Sequence, residues 1–177
     1  LKKRLELAGT RPINTIVDVT NYVMLELGLP LHAFDRDTLN GTSLGVRAAR
    51  PGEHLVTLDG KDRELTPETL CIVDSAGPIA LAGVMGGLDT EVTEQTTTVV
   101  LEAACFDPIS VRRTAHRLAL RSEASRRFEK GLPPEMTAPA LQRCVQLIEE
   151  LGVGRGNPLS ADAYPNPNPP TTVVLEF

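Results

Sequence analysis

Aromatic side chains are nearly missing: the 177 residues hold two tyrosines, four phenylalanines and no tryptophan. Proteins that grip single-stranded nucleic acid by base stacking need exposed rings, so the composition argues against that mode of binding. Cysteine is scarce too. Cys71, Cys105 and Cys144 are widely spaced, odd in number and form no C-x-x-C pair. With only three histidines beside them, no metal site is expected, and a reduced, cytoplasmic setting fits best. No apolar run reaches membrane-spanning length and no signal peptide is visible, so no membrane contact is expected. Positive charge is not in excess, since the formal net charge is −5, unlike a wholly basic nucleic-acid binder. The G-x-S-x-G elbow, the nucleotide phosphate loop and the H-E-x-x-H motif are all absent from the sequence.

What is present suffices for a core. Hydrophobic residues make up 41%, enough for one good-sized domain or two small modules sharing an interior. The chain begins at Leu1 rather than Met, as a piece excised from something larger would. Residues 1–7 read as the end of a helix, with Gly9 as its stop. Asn14 is placed to cap a helix in which Ile16, Val19, Val23 and Leu27 recur at helical spacing and Gly28 and Pro30 close the segment. Asp18 and Asn21, three apart, are then expected as surface neighbours.

The period changes after this helix. Short extended runs are expected at 44–49, 53–58 and 64–65, with Asp59-Gly60 as a hairpin turn. Further apolar runs cover 69–74 and 78–84, and 96–105 reads as a buried strand carrying one acid, Glu102. Asp107 and Pro108 open a helix to about Leu118. Ser122 starts another, with Ser125 where a capping-box acid would stand, so that box reads as incomplete. Pro133-Pro134 opens a third helix, ending at Gly152. Five prolines in residues 157–170 read as an extended linker. The expected division is therefore 1–9 as the end of a preceding helix or module, 10–155 as a domain of two adjoining modules, 156–170 as linker, and 171–177 as the start of the next module. The order helix, strands, helices predicts an α+β fold: a layered sandwich of mixed or antiparallel β-sheet with packed helices.

Four places could carry chemistry. Gly83-Val84-Met85-Gly86-Gly87 lacks nucleotide-fold spacing, and implies either tight turn geometry or close approach by a ligand. His32 reads as a loop residue leaving the first long helix, with Asp35 nearby, and is either structural or functional. Glu102 in a buried strand needs a partner, because an unpaired buried charge is costly; that partner is either a later arginine or a polar ligand group. Between 112 and 130, seven cations stand against two acids. A solvated helical face and a local phosphate contact are both open there, and the small residues at the helix start would permit close approach of an anion.

Taken together, Arg11-Pro12-Ile13-Asn14, Val17-Asp18-Val19-Thr20-Asn21-Tyr22-Val23-Met24, His32-Ala33-Phe34-Asp35, Leu81-Ala82-Gly83-Val84-Met85-Gly86-Gly87, Phe106-Asp107-Pro108 and Arg126-Arg127-Phe128-Glu129-Lys130-Gly131 resemble successive signatures of the beta subunit of bacterial phenylalanine–tRNA ligases. They occur in order over residues 11 to about 150. The resemblance implies an editing domain that hydrolyses tyrosine wrongly esterified to tRNA(Phe). It implies that Glu102 recognises the tyrosine hydroxyl, that Arg11, Asn21 and His32 line the pocket or contact the aminoacyl end, that Gly83 and Gly86 leave room for the amino acid, and that Ala124 keeps the pocket open. Ser122 stands where many relatives have Thr, which keeps the hydroxyl and loses a methyl. The water is expected to be oriented by His32, by Asn21 or by the terminal ribose hydroxyl. No cofactor is expected for editing. ATP and magnesium would serve the parent enzyme outside this chain, and the alpha subunit, in a heterotetramer, and the tRNA(Phe) acceptor end would be its partners. A non-catalytic tRNA-binding or scaffold module is the competing expectation, and a free-standing editing protein a third.

Overall fold

The computed structural model describes residues 1–157, 161–165, 167 and 169. The chain opens with α1 (Lys2–Leu7), whose Leu5 is fully buried. In α2 (Thr15–Leu27), the Asn14 side chain accepts from the Val17 N–H and Gly28 ends the helix in the left-handed region, as a cap and a glycine stop should. Asp18 departs from expectation. It is fully buried rather than on the surface, because its Oδ1 turns back to accept from the Ile13 N–H at 2.7 Å.

The strands follow in chain order: β1 (Leu31–Asp35), β2 (Gly45–Ala48), β3 (His54–Val56), β4 (Asp62–Glu64), β5 (Leu70–Val73), β6 (Pro78–Leu81), β7 (Met85–Gly86) and β8 (Val99–Ala103). The helices α3 (Pro108–Arg117), α4 (Glu123–Phe128) and α5 (Thr137–Glu150) complete the set. Every strand pairing is antiparallel. β1 pairs with β8, β2-β5-β6-β7 form a four-stranded sheet, and β3-β4 is the hairpin foreseen at Asp59-Gly60. A bridge from Thr57 to Gly87 ties that hairpin to the main sheet.

Side-chain alternation sorts these elements into layers. On one face of the β1–β8 ladder, Leu31, Leu101 and Ala103 pack with Val19 and Val23 of α2 and Ala140, Cys144 and Ile148 of α5. On its other face, Phe34 and Val100 meet Ile72, Ile79 and Ala80 of the main sheet. The far side of that sheet, through Cys71 and Leu81, packs on Val111 and Ala115 of α3 and Phe128 of α4. The result is an α+β sandwich of helix, ladder, sheet and helix. Fully buried Phe34, Leu29, Leu81 and Val23 each contribute about 1.5–3 kcal/mol by burial.

Two expectations at helix starts change. Ser125 completes the capping box, its hydroxyl accepting from the Ser122 N–H while Ser122 accepts from the Ser125 N–H; a hydroxyl serves where the motif usually has an acid. Pro133-Pro134 opens a short 3₁₀ turn, Pro134–Met136, and α5 starts only at Thr137. Of the expected linker, residues 156, 157, 161–165, 167 and 169 are exposed and carry no helix or strand. The strand expected at 171–177 lies outside the described residues.

Candidate functional site

His32 is a strand residue, not a loop residue: its backbone pairs with β8, and its register partner is Glu102. Directly opposed residues of an antiparallel pair project on the same face with Cβ atoms about 4.5–5.5 Å apart. The two side chains therefore stand side by side on the face that looks toward the main sheet, in line with Phe34 and Val100. Opposite them lies β7, whose Gly86 pairs with Ala80. Both residues are small. A Cβ built on Gly86 would come within 2.6 Å of the His32 Cε1 and 2.7 Å of its Nε2, so the missing side chain is what lets the imidazole lie against the sheet. The edge of the ring also meets Phe34, with centroids 4.6 Å apart at 79°. Asp35, which looked near enough in sequence to hold His32, points to the other face. Its carboxylate accepts from the Asp37 N–H and the Thr96 hydroxyl instead.

The electrostatics of the pair are unusual. Each side chain is partly exposed to solvent, although protein atoms crowd around its ionisable group. Burial lowers His32 from 6.5 to about 4 and raises Glu102 from 4.5 to about 7. At neutral pH the imidazole is uncharged and the carboxyl is near its midpoint. Neither side chain has a hydrogen bond or an ion pair among the described residues. No arginine partner for Glu102 is found among the described residues; of the later arginines, Arg126 and Arg127 both pair with Glu123, and Arg117 with Glu68.

The other expected site residues stand at varying removes. Ser122 donates to the Val84 carbonyl at 2.7 Å, so it buttresses the glycine turn from behind, and Ala124 packs into the core between sheet and α3–α4. Gly83 adopts φ +69, and a Cβ there would press on Phe106, Val111 and Phe128 at 2.9–3.1 Å. The room it leaves is filled by these core side chains. The vacant side of Gly86 faces the His32 ring. Arg11, ahead of α2, is exposed, and Asn21 is half-buried on α2, the helix that covers the opposite face of the ladder; neither bonds to His32 or Glu102. The structure thus brings together His32, Glu102 and Gly86, ties Ser122 to the glycine turn through the Val84 carbonyl, and gives Arg11 and Asn21 no bond to that group.

Phe34 and Ala80 are members of this site that sequence reasoning passed over. Phe34 was legible as the residue two along from His32 on one strand face; Ala80 became visible only through its pairing with Gly86. Two hollows lie elsewhere. One of about 350 Å³ is lined by Leu1, Lys2, Lys3, Thr15, Asp18 and Leu151, and the other surrounds Glu149 and residues 152–155.

With that geometry in view, comparison with known proteins is informative. The sequence profile of a family described as the B3/4 domain matches residues 1–153. The phenylalanine–tRNA ligase beta subunit of Moorella thermoacetica is 53% identical over 175 residues, which is 99% of this chain and 22% of that protein. That of Lactiplantibacillus plantarum is 50% identical over 177 residues, 100% of this chain and 22% of that protein. That of Anaeromyxobacter dehalogenans is 56% identical over 154 residues, 87% of this chain and 19% of that protein. The chain spans about a fifth of the length of these relatives.

Proposed function

The chain belongs to the B3/4 domain family, and from that membership we propose that it is the editing domain, residues 10–155, of a phenylalanine–tRNA ligase beta subunit, hydrolysing the ester of tyrosine mischarged on tRNA(Phe). The observation that carries this reading is Glu102, enclosed, without a partner, and opposite His32 in register. A phosphate-binding or scaffold surface has no use for a buried acid. A pocket that must tell tyrosine from phenylalanine has. Phenol donates its O–H to the carboxylate in a charge-assisted hydrogen bond. A bare benzene ring would leave the same carboxylate desolvated and unpaired, at a cost of a few kcal/mol. Sites that bond a substrate hydroxyl reject the analogue lacking it by ~10⁴ or more.

Hydrolysis adds a water oxygen to the ester carbonyl carbon, and the terminal ribose oxygen leaves with a proton. His32, with its pKa near 4, is a weak proton acceptor at neutral pH. Its neutral ring suits orienting the water by a hydrogen bond, and the leaving ribose's neighbouring hydroxyl suits relaying the proton. Amides within residues 83–87 other than those of Val84 and Gly87, which donate to the Leu81 and Ile79 carbonyls, would position the carbonyl oxygen. Arg11 and Asn21 would contact the aminoacyl end. In the parent enzyme this chain would work beside an alpha subunit, with ATP and magnesium bound for aminoacylation at a site outside it. Editing itself would need no cofactor.

The test is single-turnover deacylation of Tyr-tRNA(Phe) and Phe-tRNA(Phe). The wild-type chain should cleave the tyrosyl ester at least a hundredfold faster. Glu102→Ala should erase the preference, and His32→Ala should slow tyrosyl cleavage about tenfold or more. Retained discrimination in Glu102→Ala refutes the assignment, and an unchanged rate in His32→Ala removes that residue from the chemistry.

A further inference from the structure

In a chain of net charge −5, α3 and the turn into α4 form a positive surface that the pocket chemistry does not use. On α3, Val111, Thr114 and Ala115 face the core. Arg112, Arg113 and His116 fall on the opposite, exposed side, as the 100° step of a helix requires. The helix ends where Ala119 takes a left-handed φ of 52° and the Leu120 N–H reaches back to the Ala115 carbonyl at 2.8 Å. That reversal folds Leu120 into the core and sends Arg121 out beside the helix.

Three guanidinium groups, those of Arg112, Arg113 and Arg121, are exposed and have no acidic or carbonyl partner among the described residues. The contrast within the same region is informative: Arg126 and Arg127 share Glu123, and Arg117 pairs with Glu68. Arg121 is followed at once by Ser122, whose hydroxyl holds the Val84 carbonyl, two residues from the Gly86 that seats His32. One of the three free arginines, Arg121, therefore directly precedes the residue that ties α4 to the glycine turn.

Resting on the editing reading, we propose that Arg112, Arg113 and Arg121 form a docking surface for the phosphodiester backbone of the RNA acceptor strand that carries the ester. Guanidinium forks match phosphate oxygens bidentately, and the cluster is built from arginine where solubility alone would be served by lysine. The ten residues of α3 extend about 15 Å. With one phosphate charge per ~3.4 Å of strand, that length spans a few successive phosphates. The scarcity of exposed rings fits contact with the backbone and not with bases.

The probe is a fluorescent single-stranded RNA of about twelve nucleotides ending in CCA, titrated with the 177-residue chain at several KCl concentrations. Three phosphate contacts predict a slope near −2 in log K against log salt. The triple substitution Arg112→Gln, Arg113→Gln, Arg121→Gln should weaken binding at low salt at least tenfold and flatten that slope. The distant set Arg50→Gln, Lys61→Gln, Arg155→Gln should leave both unchanged. Equal loss in the two sets, or no loss in the first, overturns the surface; so does equally tight, equally arginine-dependent capture of anionic vesicles or an acidic peptide. Cleavage of tyrosine esterified to adenosine, which has no phosphates, separates the two ideas. The arginine triple should cleave it like wild type. Failure of wild type to cleave it while the RNA result holds would sink the editing reading and leave the surface standing; loss of cleavage in the triple alone would overturn the docking role.

Discussion

Burial without a partner lifts the Glu102 carboxyl to about 7 from its ordinary 4.5, and this has a consequence for stability whose sign is fixed. Between those two values the folded chain holds a proton that the unfolded chain has released, so stability falls as pH rises through that window and the penalty is complete above about 7. Its size is on the order of 2–3 kcal/mol, the upper end being reduced by the partial opening to solvent. His32 acts in the opposite sense: its folded pKa near 4 lies below 6.5, so stability is lost as pH falls from 6.5 through 4. The difference between Glu102→Gln and wild type isolates the first effect. Urea unfolding should find Glu102→Gln equal to wild type near pH 4 and more stable by about 2 kcal/mol near pH 8. A variant less stable than wild type at pH 8 would mean that Glu102 has a native partner. The same titration predicts that tyrosine selectivity strengthens from about pH 6 to about pH 8, as the carboxyl becomes the acceptor that a phenol needs.

At the scale of elements, the site depends on how closely β7 approaches β1 and β6. A methyl on Gly86 would meet the end of a side chain, the His32 ring, at 2.6 Å, whereas one on Gly87 would meet the Ile79 backbone carbonyl at 2.4 Å. That carbonyl already accepts from the Gly87 N–H at 2.8 Å and cannot move aside. Gly87→Ala should therefore cost more stability, at or above the ~1–3 kcal/mol of ordinary overpacking. Gly86→Ala should cost about 1 kcal/mol while displacing the imidazole and slowing deacylation. Thermal melts beside deacylation rates check the ordering; equal melting losses would contradict it. These contacts explain what the sequence could and could not disclose. Asn14, Gly28, Asp59-Gly60 and Asp107-Pro108 were legible because caps and turns are local chemistry. That His32 lies in a strand was not, because its partner Glu102 is seventy residues along the chain and a five-residue run without regular alternation has no period to read. Ser125 as a capping-box member was hidden by its residue type, and the filling of Gly83 by Phe106 and Phe128 by distance along the chain. Glu102 itself was legible as an acid inside an apolar run, the one position where local pattern and physical cost conflicted.

At the scale of the whole molecule, the layering gives the pocket its character. The His32–Glu102 face is turned inward between two sheets, while α3 and α4 close the far side of the main sheet and carry the unpaired arginines outward. The antiparallel α+β class followed from the order of periods along the chain, but the face-to-face packing of ladder on sheet needed long-range pairing to be seen. What the arrangement asserts most directly is that the carboxyl at 102 is enclosed and waits for a hydroxyl. NMR titration of the Glu102 side-chain carboxyl carbon measures this, first alone and then with L-tyrosine amide or L-phenylalanine amide. The midpoint should lie near 7 without ligand, fall when the phenol bonds the charged form, and show no fall with the phenylalanine compound. A midpoint near 4.5 without ligand, or the same response to both amides, would contradict the account.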